Sequence, residues 1–132
     1  MATIKRRRLM LTPNDFKGLD VIARKHALPS RTQAIRYAVS RQEVRDARPG
    51  RILPADRERI KASTSNYASK SQLYGPDELR LIGWSTPLTE DDFAAVLRVK
   101  QHWGLKAWSE AIRLAIRFQA EADGFRPLGG IW

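Results

Sequence analysis

The chain has 132 residues, 42% hydrophobic and 29% charged, which suits one compact domain or two very small ones. No apolar run approaches the ~20 residues of a membrane-spanning helix, and the basic N-terminus lacks the apolar stretch of a signal peptide, so we expect a cytoplasmic protein without membrane contact. The absence of cysteine excludes disulfides and cysteine metal sites. Residues 1–66 hold 16 Lys/Arg and 6 Asp/Glu, the whole net charge of +10, which predicts a polyanionic partner such as nucleic acid.

The first half of the chain predicts a strand followed by two helices. Residues 3–11 alternate, which places two sets of side chains on opposite faces of a strand: Arg6, Arg8 and Met10 on one, and Arg7, Leu9 and Leu11 on the other. Thr12 is a good N-cap for the first helix, and Pro29 lies just beyond its predicted end. Ser30 opens a second helix as the first residue of a capping box, and this helix is predicted to end at 44–47.

The second half repeats the first. Residues 88–119 match residues 11–42 at 10 positions without a gap, and this offset of 77 marks a duplicated structural unit. The repeat predicts three further elements: a weaker strand within 80–87, a helix begun at Thr89 and ended by Gly104, and a last helix from about Trp108 to Ala122. We therefore divide the chain into a first unit at 1–47, a linker at 48–78, a second unit at 79–124 and a tail at 125–132, with both units in one domain.

One unit by itself is too small to fold. A lone strand leaves its backbone N–H and C=O groups unpaired, and so few residues bury too little apolar surface to offset their chain entropy. We therefore expect the two strands to pair antiparallel, residues 5–11 with about 81–87. The helices of both units would then share one core, formed by Phe16, Leu19, Ile35, Val39, Phe93, Leu97, Ile112 and Ile116.

The strand, the segment LTPNDFKGLD at 11–20 and the segment SRTQAIRYAV at 30–39 together resemble the ribbon-helix-helix DNA-binding proteins. Gln33 stands where that family usually has Glu, and the segment SEAIR at 109–113 fits the same pattern in the second copy. The resemblance implies a mainly α fold with a short two-stranded antiparallel β-ribbon. With two copies in one chain, it implies a tandem ribbon-helix-helix protein closed as an intramolecular pseudo-dimer.

The resemblance also implies sequence-specific binding to double-stranded DNA, with the ribbon in the major groove and the start of each second helix on a phosphate. Base contacts would come from Arg6, Arg8 and Met10 of the first strand and from Ser85 of the second. Phosphate contacts would come from the first strand and the two helix starts: Lys5, Arg7, Ser30, Arg31, Thr32, Lys106 and Ser109.

The second copy departs from this pattern. Its outward strand positions would be Gly83, Ser85 and Pro87, which carry no charge, and Ala107 replaces the Ser30 cap. We therefore expect the second copy to contribute less to binding and the protein to recognise an asymmetric DNA site.

For the biological role, the resemblance favours a transcriptional repressor. Two alternatives are an accessory protein that binds a transfer origin in plasmid conjugation, and a protein-interaction module such as an antitoxin that holds its partner with the linker or tail. A monomeric pseudo-dimer is favoured over a homodimer in which like copies pair between chains. The sequence shows no nucleophile–base constellation and no Gly-rich phosphate loop, so we expect neither an enzyme nor a bound metal or cofactor.

Overall fold

The structure, a computed structural model, describes residues 4–48, 58, 60 and 81–126. In its two long described stretches the chain forms a two-stranded antiparallel sheet and four helices, which confirms the predicted class, mainly helical with a small sheet. The elements follow in the order β1 (Ile4–Leu11), α1 (Pro13–Lys25), α2 (Arg31–Asp46), β2 (Ile82–Thr89), α3 (Glu90–Trp103) and α4 (Trp108–Ala122).

The predicted linker and tail fall largely outside the described residues. Within the linker, Glu58 and Ile60 are helical, and Ile60 packs half-buried against the core. In the tail, Phe125 also packs against the core, and its N–H donates to the carbonyl of Ala120 at 2.9 Å. These contacts attach part of both segments to the helices.

The two strands pair in a register that is centred on equivalent residues of the repeat. Leu11 lies opposite Ile82 at one end of the sheet, and Arg8 lies opposite Ser85. Arg8 and Ser85 are 77 positions apart, so each is the counterpart of the other in the two copies. β2 is as long as β1 and begins one residue later than the predicted 81, and it continues to Thr89.

One face of this ribbon is covered by the helices, and the other faces solvent. Leu9 and Leu11 of β1 and Thr86 and Leu88 of β2 are buried on the covered face. The inward residues of the four helices complete one core: Leu19, Ile22, Ala34, Ile35, Ala38, Val39, Val96, Val99, Trp103, Ala111, Ile112, Leu114, Ala115, Ile116 and Ala120.

Three predicted core residues lie elsewhere or at the edge. Leu97 is 42% exposed, so its placement in the core was wrong. The side of α3 that faces the core includes Val96 and Val99. Leu97 follows Val96 by one residue, or about 100° around the helix, and points away from the core. Phe16 is partly buried and packs against the core, whereas Phe93 is partly buried and packs edge-on against Trp108.

The first helix of each half begins with the same cap. The Asp15 N–H donates to Thr12 Oγ1 at 3.1 Å, and the Thr12 N–H donates to the Asp15 carboxylate at 2.9 Å. Thr89 and Asp92 form the same reciprocal pair at the start of α3. The predicted N-caps are therefore confirmed, and each satisfies two N–H donors that the first turn leaves free.

The two first helices also end alike, in a left-handed turn. Gly104 has φ +65° after α3, and its counterpart after α1, Ala27, has φ +53°. In both halves the next N–H donates five residues back: Leu28 to the carbonyl of Ala23 at 2.8 Å, and Leu105 to that of Lys100 at 3.0 Å. This six-residue closure is the Schellman arrangement, which normally places glycine at the left-handed position.

Counterpart residues also make matching contacts between the halves. The Arg7 guanidinium lies 3.6 Å from the centroid of Phe93, and Trp84, the counterpart of Arg7, packs edge-on against Phe16 at 5.8 Å. Arg7 of the first copy and Trp84 of the second are therefore equivalent: each packs on the phenylalanine of the other copy.

A second matched pair lies at the far ends of the helices. The His26 ring approaches the Asp123 carboxylate at 3.0 Å, and the indole N–H of Trp103 donates to Asp46 at 3.0 Å. His26 and Trp103 are counterparts, as are Asp46 and Asp123. Each contact joins the end of a first helix to the end of the second helix of the other half.

Candidate nucleic-acid interface

The solvent-facing side of the ribbon carries the arginines predicted for base contact. Arg6 and Arg8 are exposed and Met10 is half-buried, while Ser85 of β2 is exposed opposite Arg8. Neither strand contains an acidic residue. Because no carboxylate in the ribbon offsets the two guanidinium groups, this face presents a positive surface to solvent.

β2 offers little side-chain bulk on this face. Pro87 lies opposite Arg6, and Gly83 lies opposite Met10. The Arg8 side chain leans diagonally across the ribbon onto Gly83: a Cβ atom built there would lie 2.7 Å from Arg8 Cζ. The face is thus dominated by side chains of β1.

Lys5 and Arg7, predicted to contact phosphate, lie on the other side of β1. Lys5 is exposed opposite the buried Leu88, at the end of the ribbon. Arg7 is half-buried over Phe93, and its Nε is buried without a hydrogen-bond partner. The Arg7 side chain therefore packs against α3, whereas Lys5 remains open to solvent.

The start of α2 lies beside the ribbon. Ser30 is exposed and caps the helix, with its Oγ accepting from the Gln33 N–H at 3.2 Å. The hydroxyls of Thr32 and Thr86 are 2.8 Å apart, which ties the first turn of α2 to the middle of β2. The first-turn N–H groups and the positive end of the helix dipole therefore lie close to the ribbon edge.

Arg31 has an intramolecular partner at this helix start. Its guanidinium donates to both carboxylate oxygens of Asp20, at 2.9 and 3.1 Å, and lies 4.9 Å from the centroid of Phe16. The hydrogen bond to Asp20 raises the pKa of Arg31 above its ordinary value. Both side chains are more than 40% exposed, so water weakens this pair and a phosphate could compete for the guanidinium.

The start of α4 differs from that of α2 because it already holds an anion. Glu110, which is 3% exposed, accepts the N–H groups of Lys106 at 3.0 Å and Ala107 at 2.8 Å. Ser109 is 4% exposed, and the Lys106 residue is exposed. Ala107 offers no side-chain cap, but a Glu three residues after the cap position is the usual sequence signal for this contact, and our prediction did not include Glu110.

Two buried arginines of α4, which the sequence did not predict, hold β1 and α1 in place. Arg113 is 1% exposed and donates to the carbonyl of Met10 at 2.9 Å. Burial lowers the pKa of Arg113 to about 10, which leaves it protonated at neutral pH. Arg117 donates to the fully buried carboxylate of Asp15 at 3.2 Å. Arg113 therefore holds the end of β1, and with it Met10, against α4, and Arg117 holds the start of α1.

Comparisons with known proteins give no relative on which to base a function. No protein-family model matches the chain, and no curated protein or solved structure matches it either. Across residues 4–48 and 81–126, every helix is too short or too polar to cross a membrane. In the same part of the chain no cluster of His, Asp and Glu has the composition of a metal site.

Proposed function

We propose that this chain is a tandem ribbon-helix-helix protein that folds as an intramolecular pseudo-dimer and binds double-stranded DNA in a sequence-specific way. The pseudo-dimer is supported by the strand register, in which the counterparts Arg8 and Ser85 face each other. It is supported independently by the matched contacts between halves, such as His26 with Asp123 and Trp103 with Asp46. Both observations suit two units related by an approximate two-fold axis through the ribbon.

The observation that carries the DNA-binding proposal is the solvent-facing side of the ribbon, where Arg6 and Arg8 are exposed with no carboxylate in either strand. The major groove of B-DNA admits a two-stranded ribbon, and arginine donates two hydrogen bonds to guanine O6 and N7. A ribbon covered by helices on its other face can enter the groove only with this side, so the arginines would meet the base edges.

Phosphate contacts would come mainly from the first half. The start of α2 is exposed at Ser30 and is tied to the ribbon by Thr32, so a phosphate beside the groove could accept its N–H groups. Lys5 adds an exposed ammonium at the end of the ribbon. At the start of α4, Glu110 already takes the N–H groups of Lys106 and Ala107, so this end would bind a phosphate less well.

Repression of transcription is the role we propose for this binding, with the protein acting as a monomer. Because β1 and β2 pair within one chain, each molecule carries a complete ribbon and does not need a second copy. Its mass in dilute solution would then be about 15 kDa. Because Met10 and Pro87 differ at matching positions, we propose that the DNA site is not a perfect inverted repeat.

Selection of binding sequences from a random duplex pool tests the proposal. The wild-type protein should enrich a defined sequence, and Arg6→Ala or Arg8→Ala should each relax one base preference by roughly 1–3 kcal/mol. Arg41→Ala is the matched control: it removes the same charge from an exposed position of α2, about 16 Å along the helix from Ser30.

The salt dependence separates specific from electrostatic binding. Purely electrostatic binding would fall steeply with salt and be equal for all sequences. Equal enrichment of all sequences by the wild-type protein, or unchanged preferences in both arginine variants, would refute base contact by the ribbon.

A further inference from the structure

We propose that Arg8 contacts the half of the DNA site that lies under β2, so that β1 alone supplies the guanine contacts of both half-sites. This inference rests on the proposed function and makes it more specific. It concerns the placement of the two arginines relative to the approximate two-fold axis of the ribbon.

The strand register fixes where that axis lies. Arg8 and Ser85 are counterparts and face each other, so the axis passes between them. The counterpart of Arg6 is therefore Gly83, and the counterpart of Met10 is Pro87. If each strand served only its own half-site, the half under β2 would meet Gly83, Ser85 and Pro87, and no charged group would contact it.

The side chain of Arg8 changes this expectation. It leaves β1 at the axis, crosses to β2 and lies over Gly83, with its Nε and Cζ both 2.7 Å from the place a Cβ atom would take. Arg8 therefore places its guanidinium where β2 lacks a side chain. Arg6 lies on β1 at the position that the axis relates to Gly83, so Arg6 and the Arg8 guanidinium lie on opposite sides of the axis.

A planar guanidinium on each side of the axis has a definite consequence in the major groove. Each group can donate two hydrogen bonds to the O6 and N7 atoms of one guanine. Arg6 would then contact one guanine in its own half-site, and Arg8 would contact one guanine in the other. The base pairs beside Met10 and Pro87 are free to differ, so the site would be symmetric in its guanines alone.

Gly83 is the residue that permits this arrangement. Any side chain at this position would meet the guanidinium of Arg8, which is the mobile end of a long side chain and can be displaced without moving the backbone. Gly83 has no positive φ, unlike Gly104 and Gly124, so alanine suits its backbone. Gly83→Ala is therefore expected to keep the fold and move only Arg8.

The test is selection from a random duplex pool with the wild type and three single variants. Arg6→Ala should lose the guanine of one half-site, whereas Arg8→Ala and Gly83→Ala should both lose the guanine of the other. Each loss should be roughly 5- to 150-fold in the preference for that base pair, the usual range for a bidentate contact. Circular dichroism of Gly83→Ala should match the wild type, and Arg41→Ala should enrich the wild-type site.

The double variant Arg8→Ala with Gly83→Arg moves the guanidinium onto β2 itself and should regain the guanine that Arg8→Ala loses. If Arg6→Ala and Arg8→Ala lose the same guanine, or if the double variant does not regain it, this inference is overturned while the proposed DNA binding still stands. A wild-type protein that enriches no sequence would instead overturn the proposed function.

Discussion

The residue with left-handed backbone conformation after each first helix provides a test of the fold. Ala27 has φ +53° and its counterpart Gly104 has φ +65°, in the same Schellman turn. A side chain in this conformation crowds the following carbonyl, which glycine avoids. Exchanging the residue types, one at a time, should therefore change stability in opposite directions: Ala27→Gly should stabilise the protein and Gly104→Ala should destabilise it.

The size of the effect follows from two opposing contributions. Holding a residue with a Cβ in the left-handed region costs about 1–2 kcal/mol. Glycine gives the unfolded chain more freedom, which offsets this by about 0.4–1 kcal/mol. Ala27 is exposed, so few contacts are lost with its methyl group. The expected net change is about 0.5–1 kcal/mol, or about 2–5 °C in Tm for a chain of this size.

Urea denaturation followed by circular dichroism measures both variants against the wild type. The midpoint should rise for Ala27→Gly and fall for Gly104→Ala, with the m-value unchanged, because neither substitution alters the surface exposed on unfolding. A midpoint that falls for Ala27→Gly would show that Ala27 is not held in a left-handed turn. A shift in the same direction for both variants would refute the equivalence of the two turns.

Three further predictions test individual contacts. Asp15→Ala should lower the free energy of unfolding by about 3 kcal/mol in thermal or urea denaturation, because the buried guanidinium of Arg117 loses its carboxylate partner. In a double-mutant cycle, Thr32→Val and Thr86→Val together should cost about 1 kcal/mol less than the sum of the single variants, because their hydroxyls satisfy each other; additive costs would contradict the contact. Asp20→Ala should release Arg31 for phosphate and steepen the slope of log affinity against log salt by about 0.9; an unchanged slope would contradict this release.

Features encoded by short-range chemistry could be predicted from the sequence. The caps at Thr12, Ser30 and Thr89, the end of α3 at Gly104 and the limits of α4 follow from residue types within a few positions of each other. The alternating sequence of β1 also predicted that Arg6 and Arg8 lie on the open face, since successive side chains of a strand point to opposite faces of the sheet.

Features that depend on contacts across the fold could not be predicted. Val96 and Leu97 both suit an apolar stripe, and only packing against the other helices decides that Val96 is inward. Arg31 could pair with any of several carboxylates, so the sequence alone does not select Asp20 as its partner. The contact of the Arg8 side chain with Gly83, 75 positions further along the chain, depends on the strand register, which pairs Gly83 with Met10.

The pairing of β1 with β2 inside one chain has a kinetic consequence. Two separate chains would form such a ribbon in a second-order step, and dilution would dissociate it. Here both strands belong to one chain, so their pairing is an intramolecular step. In the proposed pseudo-dimer, ribbon assembly is therefore first-order, and the fraction of molecules with an intact ribbon does not depend on the protein concentration.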